Sequence, residues 1–389
     1  MHLNILICIL LAIQPGTYHK AGNGLGNSQI RFERDKVGTV AFLGGSITQN
    51  GGWRDSLCNY LQERFPDTRF TFIPAGIASM GSTPGAFRLE RDVLSKGPVD
   101  LLFEEAAVND ATNRRSNEEQ IRGMEDSIRH TLKANPATDI VVMHFVDPGK
   151  METYIQGKIP EVIRNFDEVA GHYKVGTINL AKEVTDRISN GEFTWEDDFK
   201  DVHPSPFGQS IYFRSMKAFL EKAYAQAVTG NEQITPHPIP EPLDPYCYEH
   251  GSIVPFQKAI DVQGFEHINN WTPDLSAGTR KGYTNVDMLV GKHPGNSFTF
   301  QFEGNAAGIM VAAGPDAGMI EYRIDGKDVL TLDLFTRWSQ QLYLPWYFTL
   351  ASGLEQGKHT LVVKISRDKN AESLGHSCII KAFYINKLR

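Results

Sequence analysis

The chain has little cysteine, no surplus of basic side chains and no apolar run long enough to cross a bilayer. Its formal net charge of −7 leaves no positive excess to meet phosphates, which argues against a nucleic-acid partner. Three of its 4 cysteines are widely spaced in the body of the chain, so they form no metal-ligand pattern and allow at most one disulfide. We expect free, partly buried thiols at Cys58, Cys247 and Cys378.

The remaining composition is typical of a globular protein. With 389 residues, the chain is long enough for two domains of ordinary size, each with its own core. Hydrophobic residues make up 41% and charged residues 22%, which separates it from disordered and integral membrane proteins.

The N-terminal segment reads MHLNILICILLAIQPGTYHK and contains an apolar run over residues 3–13. The run is too short for a transmembrane helix and has the length of a signal-peptide core, so we predict a signal peptide over residues 1–20. This predicts a secreted or periplasmic protein with no stable membrane insertion once the signal is removed. His2 is the one basic side chain ahead of the run, so a buried first strand remains the alternative.

Between residues 37 and 226, short apolar runs alternate with amphipathic segments. TVAFLG, FTFIPAG, VDLLFEEAA, DIVVMHFV and KVGTINL are strand-like, and segments such as WRDSLCNYLQERF are helix-like. This alternation predicts an α/β domain over residues 30–228, with a parallel sheet covered by helices on both faces. In such sheets ligands bind beyond the carboxyl ends of the strands.

The C-terminal part of the chain has a different residue pattern. Residues 229–252 are rich in proline and predict a linker, or an extended strap over the surface. Residues 253–389 contain short strand-like runs, and Asp325-Gly326 between two of them is a strong hairpin signal. We predict an all-β sandwich here.

Four blocks place chemistry-bearing residues at the ends of predicted strands or in the last loop before a helix. Ser46 and Gly76 follow the first and second strands, Asn109 and Asp110 follow the third, and His203 precedes the last helix. Each residue alone is more typical of a helix cap or a turn. Their common position at one edge of the sheet favours a single site, with a nucleophile, a base and a neutral amide donor for an oxyanion.

The blocks GGSIT, PAGIASMGS, AVND and DVHPS together resemble those of the SGNH, or GDSL, hydrolases. The resemblance implies a flavodoxin-like three-layer α/β/α domain. It also implies that Ser46 is the nucleophile and His203 the base. The oxyanion hole would consist of the Ser46 N–H, the Gly76 N–H and the Asn109 side-chain amide. No metal or organic cofactor is implied.

The acid of this site departs from the family pattern. The family has Asp-x-x-His, but the residue three before His203 is Lys200. We predict that Asp201 orients the histidine ring. Asp197, Asp198 or a backbone carbonyl remain alternatives.

The substrate is predicted from context. The loops around Ser46 are polar, and we predict that Trp53, Arg54 and Arg88 bind substrate, with Arg114 and Arg115 as further candidates. Several carbohydrate O-acetylesterases similarly pair an SGNH domain with a jelly-roll module. We therefore predict an esterase that removes O-acetyl groups from glycans. A lipid or thioester acylhydrolase and a non-catalytic glycan-binding protein are the alternatives. The sandwich would bind glycan through Trp338, Trp346 or Tyr347, or would only pack against the first domain.

Overall fold

The structure is a computed structural model that describes residues 18–387. Most of the predicted signal peptide, residues 1–17, lies outside the described residues. In the first domain the strands are β1 (His19–Lys20), β2 (Val37–Gly44), β3 (Arg69–Gly76), β4 (Leu101–Glu105), β5 (Asp139–Met143) and β6 (Gly176–Ile178). The helices are α1 (Gly26–Gln29), α2 (Ser46–Gln49), α3 (Trp53–Arg64), α4 (Ser82–Asp92), α5 (Ala107–Thr112), α6 (Asn117–Ala134), α7 (Pro148–Ile155), α8 (Glu161–Tyr173), α9 (Leu180–Ser189) and α10 (Pro206–Ala223).

The first sheet has the strand order β1-β6-β5-β4-β2-β3. The strands β2 to β6 pair in parallel, and β1 pairs with β6 in the antiparallel direction. Every residue of β4 and β5 is buried, because helices cover both faces of the sheet. The order of the five parallel strands is that of flavodoxin-like folds, which confirms the predicted fold class.

The first described residues belong to this domain. The Tyr18 hydroxyl donates to Asp186 at 2.9 Å, and His19 and Lys20 form β1. The predicted signal-peptide boundary at residue 20 therefore lies just after a strand of the domain, and export of the protein remains a prediction.

The proline-rich segment is a strap against the first domain. Its Thr235 N–H donates to Asn27 at 2.9 Å, and a nitrogen of the His237 ring lies 2.8 Å from Asp139. Further along, the Asp244 N–H donates to Glu125 at 3.0 Å. Of the two possibilities for residues 229–252, a linker or a strap, the described contacts match the strap.

The second domain contains β7 (Gly251–Pro255), β8 (Ala259–Gln263), β9 (Glu266–Trp271), β10 (Val286–Gly291), β11 (Ser297–Ala313), β12 (Met319–Ile324), β13 (Leu330–Asp333), β14 (Leu344–Ala351), β15 (Gly357–Ile365) and β16 (Cys378–Lys387). All pairs between these strands are antiparallel. The first half of β11 pairs with β8 and β15, and its second half pairs with β14 and β16. This all-antiparallel arrangement confirms the predicted sandwich class.

The two domains share a packed interface centred on α4. The Phe87 ring lies 4.3 Å from the ring of Tyr384 and 4.8 Å from that of Tyr248, measured between centroids. On the other side, the Arg115 guanidinium donates to the Tyr347 carbonyl at 2.9 Å and lies 5.1 Å from the Trp346 ring centroid. The second domain therefore packs directly against elements that lead into the predicted site.

Candidate active site

Ser46 and His203 are brought into direct contact. Ser46 is the first residue of α2, immediately after β2, and its Oγ lies 2.7 Å from Nε2 of His203. His203 precedes α10, whose N-terminus is capped by Ser205. The two side chains are 157 residues apart in sequence, so the fold of the whole first domain is needed to form this hydrogen bond. This is the geometry of a hydroxyl nucleophile beside its base.

Asn109 is adjacent to the turn at Gly45 that leads into Ser46. It lies on α5, and its Nδ2 donates one hydrogen bond to the Met80 carbonyl at 3.1 Å. A Cβ added at Gly45 would lie 2.0 Å from the same Nδ2, so only glycine fits beside the amide. An amide nitrogen carries two hydrogens, which leaves one for an oxyanion.

Asp201 lies near the histidine ring but is not hydrogen bonded to it. Its Oδ1 is 3.7 Å from Nδ1 of His203, which is longer than a hydrogen bond. The same oxygen accepts the His203 backbone N–H at 2.5 Å. The chain turns at Lys200, where φ is +85°, and this bend brings Asp201 to the histidine.

The upstream carboxylates have other contacts. Asp198 accepts the Thr194 backbone N–H at 2.7 Å, and the Thr194 hydroxyl accepts the Asp197 backbone N–H at 3.1 Å. Among the described ion pairs, His203 is paired with Asp201. Asp201 therefore stays the predicted orienting acid.

The N–H of Gly76 does not face Ser46. The next residue, Ile77, donates its N–H to the Gly44 carbonyl at 3.0 Å across the β2–β3 pair. Because successive peptide groups of a strand point to opposite edges, the Gly76 N–H points away from β2. A Cβ at Gly76 would lie 2.3 Å from the Gln49 backbone nitrogen, so the glycine allows α2 to pack closely.

The loop over residues 77–81, and not Gly76, lies beside Asn109. Sequence reasoning did not single out this loop. The Met80 carbonyl accepts from Asn109, and the Ser79 carbonyl accepts from Asn113 at 3.2 Å. Ser79 has a φ of +69°, in the left-handed region that favours glycine. This unusual conformation next to the site is not signalled by the residue type.

The predicted role in substrate binding is wrong for two of the three residues, Trp53 and Arg88. Trp53 is fully buried, with its ring 5.8 Å from that of Phe42 and 5.5 Å from that of Phe145. Arg88 is also fully buried and bonds to main-chain carbonyls. Neither side chain is accessible to a glycan, because each lies on the face of its helix that packs against the protein interior. Arg54 is 16% exposed and donates to the Thr48 carbonyl at 2.7 Å, so it stays a candidate beside α2.

Buried carboxyl groups support the segment that carries Asn109. Glu105 accepts the Val108 N–H at 3.0 Å in the first turn of α5, and Asp110 accepts the Ser82 N–H at 3.0 Å and its hydroxyl. Burial raises the pKa of Glu105 to about 7 and that of Asp110 to about 6. The neighbouring Glu104 is also fully buried, and desolvation raises its pKa to about 8.

A cavity of about 670 Å³ lies beside α5, the helix that carries Asn109, and Asp110, Ala111 and Thr112 of that helix line it. It is lined mostly by polar and charged side chains, including Asp110, Arg114, Arg115, Lys150 and, from the second domain, Arg337. Ser46 and His203 are not part of its lining. Of the aromatic residues predicted to bind glycan in the sandwich, Tyr347 is buried and Trp338 is 37% exposed, beside Arg337.

The three cysteines of the body of the chain are free thiols, and Cys247 and Cys378 are buried. Within residues 18–387, no helix combines the length and the apolar character needed to cross a bilayer.

Residues 42–211 match the model of the GDSL-like Lipase/Acylhydrolase family. The matched range contains Ser46, Gly76, Asn109 and His203. The match confirms the resemblance and the class of carboxylic ester hydrolases predicted from these four blocks. The search of the curated proteins found no match.

The whole chain is similar in fold to a two-domain esterase (CEX) active on acetylated mannans. The crystal structure of that esterase is 20% identical, with a TM-score of 0.72, and the alignment covers 95% of this chain and 99% of that chain. A second crystal structure, co-crystallized with mannopentaose, is 19% identical with a TM-score of 0.71 and the same coverage. A variant of Axe2, an acetyl xylan esterase from Geobacillus stearothermophilus, is 17% identical over 50% of this chain and 99% of that chain, with a TM-score of 0.40. At these identities the likeness to CEX establishes the fold of both domains.

Proposed function

We propose that this protein is a serine esterase that removes O-acetyl groups from polysaccharides or oligosaccharides. The observation that carries the proposal is the 2.7 Å contact between Ser46 Oγ and His203 Nε2 at the carboxyl edge of the sheet. His203 takes the hydroxyl proton as Ser46 attacks the acetyl carbonyl, and then protonates the departing sugar oxygen. Water hydrolyses the acetyl-enzyme, with His203 again acting as base.

The oxyanion of each tetrahedral intermediate requires donors in fixed positions. The free hydrogen of the Asn109 amide is well suited, because its other hydrogen is held by the Met80 carbonyl and the group is fixed beside Gly45. The Ser46 N–H is the second donor in this proposal. The orientation of Gly76 argues against its N–H as the third, and the adjoining loop over residues 77–81 is the better place to seek one.

A glycan is favoured as the substrate by the character of the neighbouring cavity. Its lining includes Arg114, Lys150, Thr153 and Glu161, which suit hydroxyl groups better than an acyl chain. The related two-domain fold of an esterase active on acetylated mannans supports the same substrate class. Secretion or export to a periplasm, with no membrane or nucleic-acid partner, completes the proposal.

The lipid or thioester acylhydrolase is less well supported, because an acyl tunnel needs an apolar wall and most of the residues that line this cavity are polar or charged. The non-catalytic glycan-binding protein rests on the 3.7 Å gap between Asp201 and the His203 ring. Catalytic hydrogen bonds are often long before substrate binds, so this gap does not exclude turnover.

Hydrolysis of an aryl acetate by the wild-type protein and by Ser46→Ala tests the proposal. We expect the substitution to lower kcat by roughly 10³ or more while the melting temperature stays close to the wild-type value. Ser56→Ala is a matched control on α3. Wild-type turnover that survives in Ser46→Ala would show that Ser46 is not the nucleophile, and an inactive wild-type protein would favour the binding function. Acetate release from a panel of acetylated mannans, xylans and pectins then identifies the glycan.

A further inference from the structure

Arg88 joins the ends of the two strands that lead into the site. It lies on α4, is fully buried, and its Nη2 donates to the Gly44 carbonyl at 3.0 Å. Its Nη1 donates to the Ala75 carbonyl at 2.7 Å and to Asp92 at 3.1 Å. Gly44 is the last residue of β2, and Ala75 precedes the last residue of β3. One guanidinium group therefore bonds to both strands at their carboxyl ends.

Packing alone does not explain an arginine at this position. A buried guanidinium loses its hydration, and an apolar side chain of similar length would fill the space without that loss. Asp92 is the carboxylate that pairs with it, and its side chain is 18% exposed. The planar fork of arginine holds two acceptors in a fixed geometry, which a methionine does not do and a lysine does less well.

The Gly44 carbonyl belongs to a peptide group that leads into the site, and the Ala75 carbonyl ties that group to the end of β3 through the same guanidinium. Because a peptide group is planar, fixing the Gly44 carbonyl also fixes the Gly45 N–H in the same plane. Gly45 leads directly to Ser46, and its Cα faces the Asn109 amide. A rotation of that plane would shift the Ser46 hydroxyl relative to both His203 and Asn109. A displacement of about 1 Å in a catalytic group can cost about 10² in rate.

We propose that Arg88 is a positioning residue, which fixes the Gly44–Gly45 peptide group against the end of β3 and so aligns the nucleophile with its base and its oxyanion donor. Its link to catalysis rests on the proposed function, since it assumes that Ser46 is the nucleophile. The guanidinium acts through the main chain and does not contact the substrate.

Two variants of Arg88 test this role. Arg88→Lys keeps the charge but loses the fork, and Arg88→Met loses both while keeping the length. The matched control is Arg129→Lys, because Arg129 is also a buried arginine that donates to a main-chain carbonyl, that of Pro240 in the strap. All three variants are expected to melt at lower temperature than the wild-type protein. Kinetics on an aryl acetate are measured well below each melting temperature and normalised to the folded fraction.

We expect Arg88→Lys to lower kcat about 10- to 100-fold with KM changed less than about threefold, while Arg129→Lys keeps the wild-type kcat. If Arg88→Met does not fold, Arg88→Lys alone decides. Wild-type kcat in the folded fraction of Arg88→Lys would overturn the proposal, because Arg88 would then serve stability only.

A second readout does not depend on esterase activity. In protein labelled with ¹⁵N-glycine, the amide signals of Gly45 and Gly76 report the two peptide groups whose carbonyls accept from Arg88. Both signals are expected to shift in Arg88→Lys and to stay in place in Arg129→Lys. Unchanged signals in Arg88→Lys would overturn the positioning role. If the wild-type protein has no esterase activity, the proposed function fails. Shifted signals in Arg88→Lys would still show that the Arg88 guanidinium fixes the peptide groups at the ends of β2 and β3.

Discussion

The prediction most specific to this chain concerns Asp201, because Lys200 occupies the position of the family acid. Asp201→Asn replaces the carboxylate with an amide of the same shape. The amide oxygen can still accept the His203 backbone N–H that Asp201 now binds at 2.5 Å, so the loop should keep its conformation. The substitution therefore changes mainly the electrostatic environment and tautomer of the ring.

Two magnitudes bracket the expected loss. If Asp201 stays 3.7 Å from Nδ1 during turnover, both groups remain largely in water, and their attraction is about 1 kcal/mol, or about fivefold in rate. If the carboxylate closes to hydrogen-bond distance, its loss allows the wrong tautomer, which in the serine protease triad costs about 10⁴. The closure needs only a side-chain movement of an exposed aspartate, and the imidazolium formed in the transition state attracts it. We therefore expect a loss of kcat of at least about 10².

The assay is kcat on an aryl acetate for Asp201→Asn, with Asp197→Asn and Asp198→Asn as controls in the same loop. The controls should change kcat by less than about threefold, although Asp198→Asn also weakens the contact with the Thr194 N–H. A loss of fivefold or less in Asp201→Asn would refute the reasoning and favour a backbone carbonyl as the orienting group. A large loss in either control alone would show that another carboxylate has this role.

Three further predictions concern the acyl group, a buried acid and the domain interface. Acetyl esters should be hydrolysed far faster than octanoyl esters, because a polar cavity offers no gain of about 0.8 kcal/mol per CH₂; rates that rise with chain length would favour a lipase. Burial raises the pKa of Glu104 to about 8, so the side chain stays protonated and uncharged in the folded protein at acidic pH. Its contribution to the free energy of unfolding is fully present below pH 4.5 and is lost as the pH rises toward 8 and the buried carboxyl group ionises. Glu104→Gln should therefore melt near the wild-type temperature at pH 5 and roughly 5 °C or more above it at pH 8.5, and parallel pH profiles in calorimetry would contradict this. Phe87→Ala should lower the free energy of unfolding by about 3–5 kcal/mol in urea titrations, and a loss below about 1 kcal/mol would show that α4 is not firmly packed on the second domain.

The sheet was predictable because buried parallel strands form continuous apolar runs that end at glycine or polar residues. Each run from TVAFLG to KVGTINL contains or overlaps one of β2 to β6. The edge strand β1 was not predictable in this way, since its two residues carry no periodicity. The sequence does not separate a linker from a strap, because proline-rich composition excludes regular structure but does not determine which surface the segment contacts.

The site was predictable as a set of strand-end residues but not in its detailed geometry. Parallel strands end at one edge, so Ser46 and Asn109 were expected to meet there, and the contact of Gly45 with the Asn109 amide is consistent with that. The direction of the Gly76 N–H depends on the register of β2 against β3, which a single sequence does not specify. The residue types of Trp53 and Arg88 favour ligand contacts, whereas the phase of each helix turns both side chains inward. The signal for Arg88 was present, since the residues GAFRL place it in an apolar stretch.

The position of α4 suggests why the second domain is part of the same molecule. Phe87 and Arg88 are consecutive, and in a helix consecutive side chains point about 100° apart. Phe87 is packed against Tyr384 and Tyr248 of the β domain and strap, while Arg88 holds the ends of β2 and β3. A shift of α4 large enough to open the aromatic contact would also pull the guanidinium from the two carbonyls, because both residues share one rigid helical turn. In the proposed role of Arg88, the packing of the sandwich and the alignment of Ser46 are therefore linked through this helix, whether or not the sandwich itself binds glycan.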